Sequence, residues 1–205
     1  MKEYKAPPGE WDCKILLSAI PKDGESLRES FDLDLDGAIL HWNQLYEATG
    51  PVASHVTATL TGDRILVRIE VDARFSLPCC RCLRETGLAI TGDLRYLFTL
   101  RSLQDEPGHS ASDSTEEDGD IDVIPVDRFQ TELDLAPYVW EVLILNLPER
   151  VLCSNDCAGL CHICGHNKNE GDCGCREDEI DPRFAALRDQ VRRSEERRVG
   201  KECRS

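Results

Sequence analysis

Strict alternation of apolar and polar residues is the strongest signal in the chain. Ile65, Val67, Ile69 and Val71 alternate with Leu66, Arg68, Glu70 and Asp72. A side-chain period of two predicts a half-buried strand of an antiparallel sheet. Residues 52–60, rich in Val, Thr and Ala, precede it across the turn signal Thr61-Gly62-Asp63, so 52–60 and 64–75 read as a hairpin. A third run, 87–100, continues the meander. Upstream, residues 25–40 alternate around Phe31, Leu33 and Leu35, punctuated by Gly24 and Gly37, and predict a strand with an acidic outer face.

The period then changes. Residues 129–133 read as a last short strand. Asp134 suits a helix N-cap, and Pro137 is tolerated in a first turn. Leu135, Val139, Val142 and Leu143 share one helical face, which Tyr138, Ile144 and Leu147 widen, and Pro148 stops the helix. Asp181-Pro182 opens a further short helix carrying Phe184, Leu187 and Val191. The fold class expected is α+β: an antiparallel sheet meander, a packed helix, and a C-terminal cysteine-rich segment resembling a zinc knuckle. The expected division is a core domain over 1–150, a cysteine-rich metal segment with its helix over 151–192, and a non-native tail over 193–205, which is basic and lacks apolar periodicity.

Composition changes this picture in two places. Residues 102–127 hold nine Asp or Glu and no Lys or Arg, which predicts a flexible acidic loop within the core domain. The 205 residues carry 39 acidic and 24 basic groups, a formal charge of −15, and the chain without its tail is more acidic still. Such a surface disfavours general phosphate-backbone binding and anionic membranes. There is no run of ~18 apolar residues. The first residues lead into Pro7-Pro8, not into an apolar signal core, so the expected compartment is the cytoplasm.

In a reducing compartment, clustered cysteines point to metal rather than to disulfides. Of the 11 cysteines, one group runs Cys153-x3-Cys157-x3-Cys161-x2-Cys164-x8-Cys173-x-Cys175. Cys161 and Cys164, followed by Gly165, form a knuckle, with Cys173 and Cys175 a short Asn- and Gly-rich loop away. Thiolates supply the four soft ligands that zinc takes. The segment has few large apolar residues, so metal binding would replace a core. Structural zinc is therefore expected on Cys161, Cys164, Cys173 and Cys175, with Cys157 able to displace one of the last two. His162 and His166 read as surface residues, because thiolates are in surplus.

The other group, Cys79-Cys80-Arg81-Cys82, sits between two predicted strands and reads as a structural corner. It could also be a redox pair, but such pairs usually open a helix. A second zinc on Cys79, Cys82, Cys153 and Cys157 requires the two regions to touch. The Cys157-x3-Cys161-x2-Cys164 spacing also matches the iron–sulfur site of radical S-adenosylmethionine enzymes, though only 41 residues follow it. No Gly-x-Ser-x-Gly, Walker or Gly-x-Gly-x-x-Gly motif occurs, and no catalytic residue is assigned.

Taken in order, four pieces resemble the YceD family. They are Cys79-Cys80-Arg81-Cys82-Leu83; Leu133-Asp134-Leu135-Ala136-Pro137-Tyr138 running to Leu147-Pro148; Cys153, Cys157, Cys161, Cys164-Gly165, Asn169 and Cys173-Gly174-Cys175; and Asp181-Pro182-Arg183-Phe184. Lys168-Asn169 departs from the family's usual Asn-Leu-Asn. The resemblance implies a non-enzymatic ribosome biogenesis factor for accumulation of 23S ribosomal RNA, with a structural metal. Its acidity adds the expectation that the direct partner is a basic large-subunit ribosomal protein or a pre-ribosomal particle. Contact with ribosomal RNA would be indirect, and neither membrane nor small-molecule substrate is expected. A redox or iron–sulfur enzyme using the cysteine clusters is the alternative.

Overall fold

Residues 2–101 apart from 23 and 63, together with 123–127 and 131–175, are described by the structure, a computed structural model. The chain divides into two units, Met1–Cys157 and Ala158–Ser205. Among the described residues, all the strands and the α-helix belong to the first.

Alternation builds the first unit. Strands β6 (Val52–Thr61), β7 (Arg64–Pro78) and β8 (Glu85–Arg101) form an antiparallel meander. Every odd-numbered residue of β7 from Ile65 to Leu77 is buried, and every even-numbered one faces away. One edge of β7 pairs with β8 from Arg64↔Thr99 to Pro78↔Glu85. Its other edge is shared. β6 takes the first part, and β5 (Gln44–Ala48) takes the far end through Glu47↔Ser76 and Ala48↔Phe75. β3 (Ser26–Leu33) extends the sheet beyond β6, and β4 (Ala38–His41) extends it beyond β5. The two-residue link Trp42-Asn43 has φ of 49° and 59°, the positive pair that a primed hairpin turn requires.

Three features depart from the expected meander. The segment 25–40 is two strands, β3 and β4, because the chain turns at Gly37, whose φ of 150° is open to glycine. Two parallel pairings extend the antiparallel sheet: β1 (Glu3–Tyr4) on β4, and β9 (Val123–Asp127) on β8. The last five residues of the expected acidic loop are therefore a strand. Pro125 fits there because a sheet edge tolerates a missing donor. The rest of that loop, 102–122, the helix at 181–191 and the tail at 193–205 lie outside the described residues. β2 (Lys14–Leu16) and β10 (Glu132–Asp134) form a separate antiparallel pair.

The helix α1 (Ala136–Leu145) closes the core, burying Val139, Trp140, Val142 and Leu143 and contacting β7 and β8. Each such side chain contributes roughly 1.5–3 kcal/mol on burial, which outweighs the modest helix propensity of its Val and Ile. Asp134 caps from one residue further out than expected. Its Oδ1 accepts from the Ala136 N–H at 3.0 Å while Leu135 holds the N-cap position. Trp140 meets Trp11 edge-on at 5.8 Å, and Tyr138 packs on Tyr96 and Phe98 at 4.9 and 5.2 Å. The Tyr96 hydroxyl lies 3.0 Å from Glu141 Oε2, giving the helix's acidic residue a partner.

The helix crosses β8 where that strand has no side chain. A Cβ on Gly92 would lie 2.8 Å from Val142 Cγ1 and closer still to Asn146 Nδ2. Gly92→Ala is expected to push the end of α1 off the sheet and cost about 1–3 kcal/mol, read as a lowered midpoint in urea unfolding.

Candidate metal centres

The row of inward-facing residues on β7 does not stop at Leu77. Cys79 continues it and is fully buried, whereas Cys80, one step on, is exposed. Alternation thus selects which of the two adjacent thiols faces in. The chain then turns: the Leu83 N–H donates to the Cys79 carbonyl at 2.9 Å and the Cys79 N–H to the Arg84 carbonyl at 2.9 Å. That turn brings the buried Cys82 alongside Cys79.

The segment after α1 is tied to the same corner. The Tyr46 hydroxyl donates to the Pro148 carbonyl at 2.6 Å, Gln44 Nε2 to the Glu149 carbonyl at 2.5 Å, and the Cys80 N–H to the Val151 carbonyl at 2.9 Å. Cys153 and Cys157 follow directly, and Arg81 Nη1 donates to the Cys157 carbonyl at 2.9 Å. The outcome is a set of four: Cys79, Cys82, Cys153 and Cys157, with all sulfurs within 4.8 Å of one another. Cys79 Sγ lies 3.8 Å from Cys157 Sγ, and Cys82 Sγ lies 3.6 Å from Cys153 Sγ.

The second unit holds another set: Cys161, Cys164, Cys173 and Cys175, again within 4.8 Å. Here the Gly165 N–H donates to the Cys161 carbonyl at 2.9 Å, and Gly165 has φ of 74°. The Cys161 N–H donates to the His166 carbonyl at 2.8 Å, and Leu160 bridges Asn167. Asn167 and Asn169 shape the loop: Asn167 Oδ1 accepts from the Asn169 N–H at 3.1 Å, and Asn169 Oδ1 from the Ala158 N–H at 2.8 Å. The structure gathers the four cysteines that the sequence put together first. Cys157 is not among them. The turn that starts at Ser154, whose carbonyl takes the Cys157 N–H at 3.1 Å, and the contact with Arg81 place it in the other set. Neither His162 nor His166 belongs to either set.

Both sets can hold a metal ion, and their donors are soft. Burial works to raise the Cys79 thiol, but hydrogen bonds from the Cys82, Arg81 and Cys153 backbone outweigh it and bring it to about 6. The Arg84 backbone works to lower Cys82, yet burial and the neighbouring sulfurs push it to about 12. Backbone hydrogen bonds from Cys164 and Ile163 bring Cys161 down to about 6, while the sulfurs of Cys164 and Cys173 push Cys175 up to about 12. Four crowded sulfurs cannot all ionise on their own, because each thiolate raises its neighbours. Four protein donors around one ion also leave no open position, which is the structural rather than the catalytic arrangement. The pair Cys79 and Cys82 lies between two strands and opens no helix, so the feature that activates redox pairs is missing there.

The profile of the YceD family, described as large ribosomal RNA subunit accumulation protein YceD, matches residues 67–189. The chain belongs to the YceD family. The matched span contains both cysteine sets and most of the β7–β8–α1 core. The maize chloroplastic protein named large ribosomal RNA subunit accumulation protein YCED homolog 1 is 26% identical over 169 residues, 74% of this chain and 57% of its own length. An uncharacterised protein of Mycobacterium tuberculosis is 33% identical over 124 residues, 60% of this chain and 54% of its own. One of Mycobacterium leprae is 26% identical over 159 residues, 78% of this chain and 65% of its own. The chain thus spans just over half to about two thirds of these relatives. No solved structure matches it.

Among residues 158–175 only Gly159 and Cys161 are buried, so the described part of this YceD unit has no apolar core to hold it once its thiols are lost. Cys161→Ser with Cys164→Ser is expected to abolish amide protection over 158–175 and to leave that of β6, β7 and β8 unchanged, as read by hydrogen-exchange mass spectrometry.

Proposed function

We propose that this protein is a ribosome biogenesis factor that promotes accumulation of 23S ribosomal RNA in the large subunit, acting by binding and not by catalysis. The observation that carries this is the YceD match over residues 67–189. The maize relative's printed name points the same way. Cytoplasmic action fits this role, and among the described residues no helix is long and apolar enough to cross a membrane. The ion proposed for Cys161, Cys164, Cys173 and Cys175 is zinc in a structural role, since an all-thiolate, four-donor set is the closed arrangement that zinc takes.

Charge sets the mode of action. At −15 the surface repels bare RNA and attracts a basic ribosomal protein. One arginine of the sheet, the half-exposed Arg68, is partly neutralised: it lies 2.6 Å from Asp93 and 3.1 Å from Glu70. The direct partner proposed is therefore a basic large-subunit protein or the pre-ribosomal particle that carries it.

Depletion of the protein is expected to lower mature 23S RNA relative to the small-subunit RNA, measured by quantitative blotting of total RNA. An unchanged ratio overturns the proposal. Capture of large-subunit protein by the purified chain should weaken steeply between 50 and 300 mM salt, because the Debye length shrinks from roughly 14 to about 6 Å. Binding that ignores salt would remove the electrostatic basis of the partner assignment.

A further inference from the structure

The corner at Cys79–Cys82 and the turn at Cys161–Cys164 have the same backbone construction. In each, two cysteines stand three apart. In each, the N–H four residues after the first cysteine donates to that cysteine's carbonyl, at 2.9 Å in both. In each, the donating residue has a positive φ: 74° for Gly165 and 59° for Leu83. Glycine takes that conformation freely, whereas a branched side chain is strained in it. Leu83 gains little from burial in return, since it is 64% exposed. An exposed leucine held left-handed needs something that over-determines the turn. The Arg81 N–H also lies 3.4 Å from Cys79 Sγ, and a thiolate held at a metal benefits from such a donor.

The sulfurs agree. The separations of 3.8 Å for Cys79–Cys157 and 3.6 Å for Cys82–Cys153 are too long for a disulfide, which needs about 2.05 Å. They fit a tetrahedron of thiolates around zinc, where a Zn–S bond of about 2.3 Å gives an S···S edge of about 3.8 Å. Cys79, Cys82 and Cys157 are buried, so the site is closed to solvent on three of its four donors.

We infer that Cys79, Cys82, Cys153 and Cys157 form a second structural metal site, for a zinc-class divalent ion, separate from the set in the second unit. It fastens the end of β7 to the segment after α1 across a sequence separation of 71 residues between Cys82 and Cys153. The corner is a metal knuckle in which Leu83 occupies the position that Gly165 occupies in the other.

Metal content of the full-length chain, purified without chelator and dialysed, tests this. Two zinc ions per chain are expected, with one retained in Cys161→Ser/Cys164→Ser. Cobalt(II) loaded into that variant should give the intense absorption of four-thiolate coordination. Cys79→Ser/Cys82→Ser should lose one ion and keep the other. Because that variant removes a fastening of the core and can fail to fold, the Cys161→Ser/Cys164→Ser chain decides. If it folds with no bound metal, the inference is overturned. Leu83→Gly should keep both ions, since the turn favours glycine, and loss of an ion in that variant would overturn the knuckle assignment.

Discussion

The inward row of β7 is the constraint on which the first unit depends. Ile65, Val67, Ile69, Val71, Ala73, Phe75 and Leu77 supply one buried face, and the backbone of the same residues supplies two paired edges. A slip of one residue would turn that whole row to solvent. It would also exchange Cys79 for Cys80 at the corner. Register therefore carries chemistry as well as packing: the arithmetic that buries Phe75 and Leu77 is what aims one thiol inward and its neighbour outward.

The two units meet the cost of ordering a chain by different means. The first buries aromatic and branched side chains in quantity, with Tyr46, Phe75, Phe98, Ile65, Ile69 and Leu143 all nearly inaccessible to solvent. Its cysteine set lies at one end of that core, with Cys79, Cys82 and Cys157 buried. The described part of the second unit buries no large side chain, and turns shaped by Asn167 and Asn169 offer only a few hydrogen bonds, each worth about 1 kcal/mol. There the metal proposed for its four cysteines would stand in place of a core. The same four-thiol set would therefore carry different weight in the two places.

Most of this was legible where a pattern is local. The alternation at 65–71 marked β7, the Thr61-Gly62-Asp63 turn marked the β6–β7 hairpin, and Leu135, Val139, Val142 and Leu143 marked α1. The turn from Cys161 to Cys164 could be read from spacing and from Gly165. What escaped was non-local. Parallel pairing of β9 on β8 depends on a connection through an acidic stretch whose composition says nothing about its end. Cys157 stands four residues from both Cys153 and Cys161, so spacing alone allowed either set. The contact between the β7–β8 corner and the segment after α1, made through Tyr46, Gln44 and Cys80, excluded one of them. The signal was present in the paired spacings but needed the third dimension to be read. Leu83 hid the likeness of that corner to the Cys161–Cys164 turn further, because a leucine stands where the other turn has Gly165.

The order in which such a chain can assemble follows from these distances. Closing 71 residues between Cys82 and Cys153 carries a loop entropy that grows with the logarithm of length. An ion binding four scattered thiols in the unfolded chain would have to meet that cost alone. In the folded unit, the pairing of β7 with β8 and the docking of α1 have already met it. The hydrogen bonds at Pro148, Glu149 and Val151 then present Cys153 and Cys157 to the waiting corner. The sheet and helix thus bring the four thiols together, and the proposed ion would then lock the corner whose Leu83 they hold at positive φ. In the described part of the second unit the order would be reversed: its four cysteines span only residues 161–175, loop closure is cheap, and binding of the proposed ion can come first.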